Sequence, residues 1–232
     1  MDLAVLLELQ RIDSDIDRST IQRPRLAEIA SHGEAERELA RVRAEVARVS
    51  GAQSSALGEL DRIEARSADL DAHRERLERQ LRTIIAPREA EALQNEMAGL
   101  AAQRNELDDR GLELLEASSA ADEELAGLAA AEQVAGRAVE VAATDRQNAE
   151  AAADLRLAEL RALRDVTAGR IDAADLARYE RHRAGNGGVA VAALDRGTCG
   201  ACHVSLSVSE LDTVKRSTDT PECPHCARWL VR

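Results

Sequence analysis

Apolar residues recur at alternating steps of three and four positions from residue 39 to residue 84. This spacing keeps the apolar side chains on one face of a helix and is typical of a left-handed coiled coil. It predicts a long helix whose seam is interrupted by a few polar residues. The seam consists of Leu39, Val42, Val46, Val49, Gln53, Ala56, Leu60, Ile63, Ser67, Leu70, Arg74, Leu77, Leu81 and Ile84.

A second seam follows a proline and predicts a second long helix that folds back along the first. Pro87 suits the first turn of a helix, and the residue before a proline is biased toward extended backbone, so a reversal is predicted at residues 83–87. The second seam consists of Leu93, Met97, Leu100, Arg104, Leu107, Gly111, Leu114, Ser118, Ala121, Leu125, Leu128, Ala135, Val139, Ala142, Ala149, Ala153, Leu160 and Leu163.

Shorter elements are predicted on either side of the two seams. A leading helix over residues 2–20 has the apolar face Val5, Leu9, Ile12 and Ile16 and is expected to break within residues 19–24. Asp172 can cap another short helix, and residues 189–194 are typical of a strand. The predicted domains are a coiled-coil helical hairpin over residues 1–170, a connecting helix and strand over 171–196, and a small module over 197–232.

Composition supports a mainly α protein with a long antiparallel coiled-coil hairpin. The chain has one Trp, one Tyr and no Phe, which is too little bulk for a large globular core, while 32% of its residues are charged. A net charge of −12 disfavours general coating of nucleic acid. The apolar run at residues 3–7 is too short to span a membrane and lacks the basic start of a signal peptide, so we expect a cytoplasmic protein without a membrane partner.

All four cysteines of the chain lie in the last module as two C-x-x-C pairs separated by twenty residues. Such pairs can place four thiolates around one Zn²⁺ ion in a closed tetrahedral site, which builds structure and does not catalyse. A disulfide or thioredoxin-like use would need an oxidising compartment or a βαβ context, and neither is visible. His203 and His225 could replace a ligand, but four thiolates already satisfy the ion. The predicted zinc ligands are Cys199, Cys202, Cys223 and Cys226.

The hairpin carries an uneven charge. Residues 92–160 contain fifteen acidic residues against five arginines, so the second long helix is strongly acidic. Leu112 and Leu115 fall outside the second seam and leave room for a dimer, so monomer and homodimer both remain open. These features favour a surface that meets protein partners.

Several segments together resemble the bacterial C4-type zinc-ribbon proteins with a coiled-coil domain. The likeness rests on residues 88–96 after the reversal, 179–181, 188–191, 197–203, 206–207 and 223–230. It implies a coiled-coil hairpin followed by a small C-terminal β zinc ribbon, and an adaptor in place of an enzyme. Relatives are associated with the sigma-54 transcription factor, secretion components and, in one lineage, messenger RNA. Ala227 departs from the family, which often has glycine there, and this affects the geometry of the turn.

Three classes of function follow. The leading hypothesis is a non-enzymatic adaptor or scaffold whose hairpin and zinc ribbon bind proteins, including transcription-related ones. The alternative is RNA or DNA binding through the ribbon, for which Trp229 and four basic residues are available, although Glu210, Asp212, Asp219 and Glu222 balance the charge of Lys215, Arg216, Arg228 and Arg232. An enzyme is the least favoured class, because no nucleophile motif or phosphate-binding loop accompanies His32, His73 and His182.

Overall fold

The computed structural model describes residues 2–217 and 220–231 and is dominated by helices. Asp219 and Arg232, which entered the charge balance of the ribbon, lie outside the described residues. The helices are α1 (Leu3–Gln22), α2 (Ala27–Leu81), α3 (Pro87–Ala168), α4 (Ala173–Gly185) and α5 (Val208–Arg216). The strands are β1 (Val191–Asp195), β2 (Thr198–Cys199) and β3 (Trp229–Val231). The expected mainly α fold with a small C-terminal sheet is confirmed.

The two predicted interruptions of the helices are both found. Helix α2 ends at Leu81 and α3 begins at Pro87, so the reversal lies where the proline predicted it. Helix α1 runs two residues further than expected, and a 3₁₀ turn over Arg23–Arg25, which contains Pro24, separates it from α2. Asp172 caps α4, because its carboxylate accepts a hydrogen bond from the Ala174 amide at 2.8 Å.

The chain divides into two compact units, of which unit 2 is His32–Ala142. Here the partners of four ion pairs run in opposite directions along α2 and α3, which establishes antiparallel pairing: Arg43 with Glu132, Arg48 with Glu124, Glu59 with Arg110, and Asp71 with Arg104. Leu70, Leu77 and Leu100 form a buried cluster between the two helices. The seam predicted from the 3–4 spacing is therefore the packed face of this unit.

Among the polar residues of the seam, some find partners, some stay exposed, and the Ser67 hydroxyl is buried without a hydrogen-bond partner in the described part of the chain. Gln53 donates hydrogen bonds to the Asp122 carboxylate at 2.6 Å and to the Ser118 carbonyl at 3.4 Å. Arg74, by contrast, is exposed and pairs with Glu78 on its own helix. These contacts allow polar residues at seam positions without burying an unpaired charge.

Unit 1 combines Met1–Ser31 with Ala143–Arg232. This grouping differs from the boundary expected at residue 170, because the leading helix packs on the ribbon. Leu6 and Leu9 of α1 join a fully buried cluster with Tyr179 of α4 and Trp229 of β3. The zinc module alone has few apolar residues, and helices on its flank supply the core that it lacks.

Three details of the predicted pattern need correction. The buried face of α1 contains Leu9 and Ile12 as expected, but Leu6, Gln10 and Asp13 complete it, while Val5 and Ile16 are only half-buried. Leu163 is 49% exposed and does not belong to the seam, whose end is formed by Leu157, Leu160 and Thr167. Strand β1, assigned to the connecting segment, is the central strand of the ribbon sheet.

The sheet has the order β2-β1-β3. Strand β1 pairs antiparallel with β2, with Leu194 opposite Cys199, and parallel with β3, with Val191 opposite Trp229. The two cysteine turns are thereby attached to strands on opposite sides of β1. Within residues 2–217 and 220–231, no helix is both long and apolar enough to cross a membrane.

Candidate metal centre

Each cysteine pair lies in a tight turn of the same backbone form. The His203 amide donates to the Cys199 carbonyl at 2.9 Å, and the Ala227 amide donates to the Cys223 carbonyl at 2.8 Å. The residue that closes each turn is left-handed, with φ of 57° at His203 and 58° at Ala227. The two turns therefore present their thiols in equivalent ways. The expected effect of Ala227 on the turn is confirmed, because this alanine adopts the left-handed backbone that favours glycine.

The four thiols converge at one point. Their sulfur atoms all lie within 4.8 Å of one another, and all four thiols are free. The Sγ atoms of Cys199 and Cys226 are 3.9 Å apart, and those of Cys202 and Cys223 are 3.8 Å apart. With Zn–S bonds of about 2.3 Å, a regular tetrahedron has edges of about 3.8 Å. The spacing fits one tetrahedral Zn²⁺ ion and is far too long for disulfides.

The surroundings of the thiols affect how readily they lose protons. Burial raises the pKa of the Cys223 thiol to about 12. Burial also opposes ionisation of Cys226, but hydrogen bonds from the backbone and side chain of Arg228 outweigh it and lower the pKa of this thiol to about 7. A zinc ion binds thiolates, so it would displace the remaining protons on entering the site.

The neighbouring histidines are not part of this cluster. In the described part of the chain, the only group of three or more potential metal-ligating side chains is the four cysteines. The His225 imidazole is instead 3.4 Å from the Glu210 carboxylate, at the start of α5. Four thiolates with no open position make a structural centre.

A single glutamine of α1 attaches the ribbon to its helical support. The Gln10 side-chain oxygen accepts hydrogen bonds from the amides of Ala190 and Val191, at 2.6 and 3.4 Å. Its amide nitrogen donates to the Gly188 carbonyl at 2.9 Å. Gln10 is 3% exposed, so these bonds satisfy a buried amide and hold the start of β1. Sequence reasoning missed this residue, because nothing in the heptad pattern distinguishes it.

Asp13 lies one turn further along α1 and is equally buried. Its carboxylate accepts hydrogen bonds from the Tyr179 hydroxyl at 2.7 Å and from the Arg164 guanidinium at 2.6 Å. The Arg183 guanidinium lies 3.6 Å away. Two cations and a hydroxyl thus compensate the burial of one carboxylate and join α1, α3 and α4 within unit 1.

Two residues considered for nucleic-acid binding have structural roles. The Arg228 guanidinium donates to the backbone carbonyls of Val189 and Asn186, at 3.1 and 2.9 Å. Trp229 is 1% exposed, and its ring stacks on His182 with a centroid distance of 4.4 Å. Both side chains therefore connect the ribbon to the end of α4, and Trp229 belongs to the core.

Comparison with protein families matches two segments that together cover most of the chain. The profile of the CT398-like coiled coil hairpin domain matches residues 9–187. The profile of the C4-type zinc ribbon domain matches residues 198–230, which include all four cysteines. The match and the clustered thiols together establish one structural zinc ion as the cofactor of this chain.

Solved structures share the fold across almost the whole length. The chain is similar to a protein from Mycobacterium smegmatis, with 20% identity, a TM-score of 0.83 and coverage of 100% of this chain and 99% of that one. It is also similar to CT398 from Chlamydia trachomatis, with 17% identity, a TM-score of 0.82 and coverage of 98% and 96%. The HP0958 protein from Helicobacter pylori is 16% identical, with a TM-score of 0.58 and coverage of 98% and 95%. Comparison with curated proteins found no match.

Proposed function

The chain belongs to the family of the CT398-like coiled coil hairpin domain, and we propose that it is a non-enzymatic zinc-binding adaptor whose hairpin and ribbon bind other proteins. The zinc ion has a structural task in this proposal, because its four thiolate ligands leave no position for a substrate. A cytoplasmic location fits the proposal, since thiols stay reduced and available to metal there. Proteins of the transcription machinery are the first partners to test, as the resemblance in sequence implies.

The observation that carries the proposal is the exposure of large apolar side chains on the helices and the ribbon. Leu112, Leu115, Val134 and Val141 of α3 are 54–62% exposed, and Val208 at the start of α5 is 86% exposed. Clustered exposed apolar residues mark surfaces that meet other proteins, whereas isolated ones are common. Among the described residues, α3 carries most of the exposed large apolar side chains, and Leu112 and Leu115 lie about one turn apart on it, so the hairpin is the first surface to examine.

The nucleic-acid alternative has less support from the ribbon. Trp229 is buried and cannot stack on a base without leaving the core, and Arg228 is engaged with backbone carbonyls. Arg216 pairs with Asp212 on its own helix at 3.0 Å. Since phosphate binding depends on accessible cations, these contacts favour a protein as the partner.

Capture from native lysate, run in parallel with and without nuclease treatment, tests the proposal. The baits are the intact protein and the Cys199→Ser/Cys202→Ser variant, with intact protein that has been stripped of zinc and reloaded as the matched control. We expect protein partners to remain after nuclease treatment with the intact and reloaded baits, and those that need the ribbon to be lost with the variant. Recovery of RNA or DNA without any nuclease-resistant protein would reject the proposal in favour of the nucleic-acid alternative.

A further inference from the structure

A groove of about 550 Å³ follows the paired helices of unit 2. Gly111 and Ser67 are its buried members, and Leu60, Ile63 and Leu107 are half-buried. A glycine and a serine at successive contact positions of facing helices leave space that larger seam residues would fill. The groove therefore arises where the small residues of both seams come together.

Two exposed leucines border this groove. Leu112 is 59% exposed and Leu115 is 54% exposed, and a spacing of three residues places them on neighbouring positions of one face of α3. Two large aliphatic side chains directed to solvent beside an apolar groove form a continuous apolar surface. Single exposed leucines are common on protein surfaces, whereas leucines that extend an apolar groove indicate a binding surface.

The charged side chains of the groove are mainly acidic. Glu64, Asp71 and Asp108 contribute carboxylates, and Arg104 contributes the one cation among the lining residues. The Arg104 guanidinium is paired with both Asp71 and Asp108. Glu64, by contrast, takes part in no ion pair among the described residues. An occupant of the groove thus meets apolar surface bordered by net negative charge.

We propose that this groove binds a basic amphipathic helix of a partner protein, an inference that rests on the adaptor function proposed above. The apolar strip runs along the paired helices α2 and α3, so a third helix with an apolar stripe can pack along it. From residue 104 to residue 115 the groove follows α3 for about 17 Å, or about three helical turns. Lysine or arginine on the flanks of that helix would complement Glu64 and its acidic neighbours.

A second copy of this chain fits the groove less well. A symmetric dimer would place the same surface of both copies together and bring the carboxylates of one groove against those of the other. The chain as a whole carries a net charge of −12, so self-association also works against long-range repulsion. The negative charge therefore favours a basic partner of a different sequence.

The experiment uses the full-length zinc-loaded protein and a labelled synthetic helix of about five turns, with leucine on one face and lysine on the other. A matched peptide carries glutamate in place of lysine. Fluorescence anisotropy measures the dissociation constant of each peptide at low and high salt. We expect the lysine peptide to bind and the glutamate peptide to bind at least about tenfold more weakly, because only the first complements the groove.

Two pairs of variants locate the binding site. Leu112→Ser/Leu115→Ser is expected to weaken binding of the lysine peptide about tenfold or more, whereas Val134→Ser/Val141→Ser, exposed on the same helix outside the groove, should have little effect. Glu64→Lys is expected to weaken binding and to reduce its dependence on salt, and Glu123→Lys, outside the groove lining, is the matched charge control. All four changes are at surface positions, so circular dichroism should show unchanged helix content.

Equal binding of both peptides, or equal effects of the groove variants and their controls, would overturn the inference. Light scattering that shows a dimer of the intact protein and a monomer of Leu112→Ser/Leu115→Ser, without binding of the lysine peptide, would assign the groove to a second copy and also overturn it. The lysate capture separates the two proposals. If nuclease-resistant partners are captured while the peptide fails to bind, the adaptor function stands and the groove inference falls.

Discussion

The imidazole of His182 stacks on the indole of Trp229, with ring planes that differ by 6°. Arg178 is on the same helix as His182, and its guanidinium carbon lies 5.2 Å from the centroid of the indole ring. The His182 Nε2 atom is also 3.1 Å from the Ala227 carbonyl, in the second cysteine turn. One histidine of α4 therefore contacts both the core strand β3 and the metal-binding turn, which makes α4 part of the support of the ribbon.

Replacing His182 with alanine should loosen the ribbon on this support. Stacked aromatic pairs contribute about 0.5–1.5 kcal/mol beyond the area they bury, so we expect the free energy of unfolding of unit 1 to fall by about 1 kcal/mol. Trp229 is the sole tryptophan of the chain, and its fluorescence during urea unfolding reports on this site alone. His73→Ala, at a half-exposed position of unit 2, is the control and should leave the tryptophan transition unchanged. An equal shift for both variants would contradict the role given to the stack.

Ala227→Gly should stabilise the ribbon. An L-residue with φ of 58° is strained by contact between its Cβ and the backbone, and glycine removes that contact. Glycine also gives the unfolded chain more freedom, which offsets part of this stabilisation. The expected net increase in the free energy of unfolding is therefore about 0.5–1 kcal/mol. The comparison is Ala201→Gly, whose φ is not positive and which should destabilise. Zinc-loaded samples in guanidinium would measure both, and a loss of stability at position 227 would contradict this view of the turn.

Much of this fold can be predicted from local patterns. The heptad spacing that includes Leu70 and Leu77, together with the proline at 87, suffices to predict the pair of long helices, because periodicity and backbone restriction act over a few residues. The cysteine spacing likewise predicts the metal centre. Gln10 and Asp13 could not be predicted, since their partners lie more than 150 residues away in sequence.

The end of α3 illustrates a second limit of sequence reasoning. Leu163 continued the predicted seam but is exposed, and Leu157 and Thr167 are buried in its place. In this stretch α3 belongs to unit 1, where it contacts α1, α4 and the 3₁₀ turn at residues 23–25. A periodicity that describes a two-helix contact does not identify the buried face of a helix with several neighbours.

Gly200→Ala should strongly destabilise the first cysteine turn. A Cβ atom at this position would lie 2.9 Å from the Ala193 carbonyl oxygen, which already accepts a hydrogen bond from the Gly200 amide. Backbone cannot move away without breaking the β1 pairing, so a loss of about 2 kcal/mol is expected in urea unfolding. Gly127→Ala in α3 is the matched change, where a Cβ meets nothing within 4 Å, and it should be neutral or stabilising. A harmless Gly200→Ala would show that the two segments do not approach so closely.

Unit 1 should lose stability at alkaline pH through Tyr179. Burial and the hydrogen bond to the Asp13 carboxylate raise the pKa of this hydroxyl far above its ordinary value of 10.0. Above about pH 10 the hydroxyl of the unfolded state releases its proton while that of the folded state retains it, so the free energy of unfolding falls as pH rises. Below about pH 10, the folded and unfolded states bind this proton equally, and the group does not affect stability.

The test compares the intact protein with Tyr179→Phe, which keeps the ring and removes the titrating group. Urea midpoints between pH 8 and about pH 11, followed by Trp229 fluorescence, should fall more steeply with pH in the intact protein than in the variant. Tyr179 is the sole tyrosine of the chain, so no other phenol obscures the difference. Parallel pH profiles for the two proteins would contradict burial of the hydroxyl beside Asp13.

One zinc ion held by four thiolates underlies the structural role of the ribbon, and native mass spectrometry of the purified protein tests it most directly. Each chain should carry the mass of one zinc ion, and the Cys199→Ser/Cys202→Ser variant should carry none. Removal of zinc should shift Trp229 fluorescence, because His182, which stacks on Trp229, also contacts the Ala227 carbonyl in the second cysteine turn. A metal-free protein with an intact fold, or one with two disulfides in place of zinc, would contradict a structural zinc ribbon.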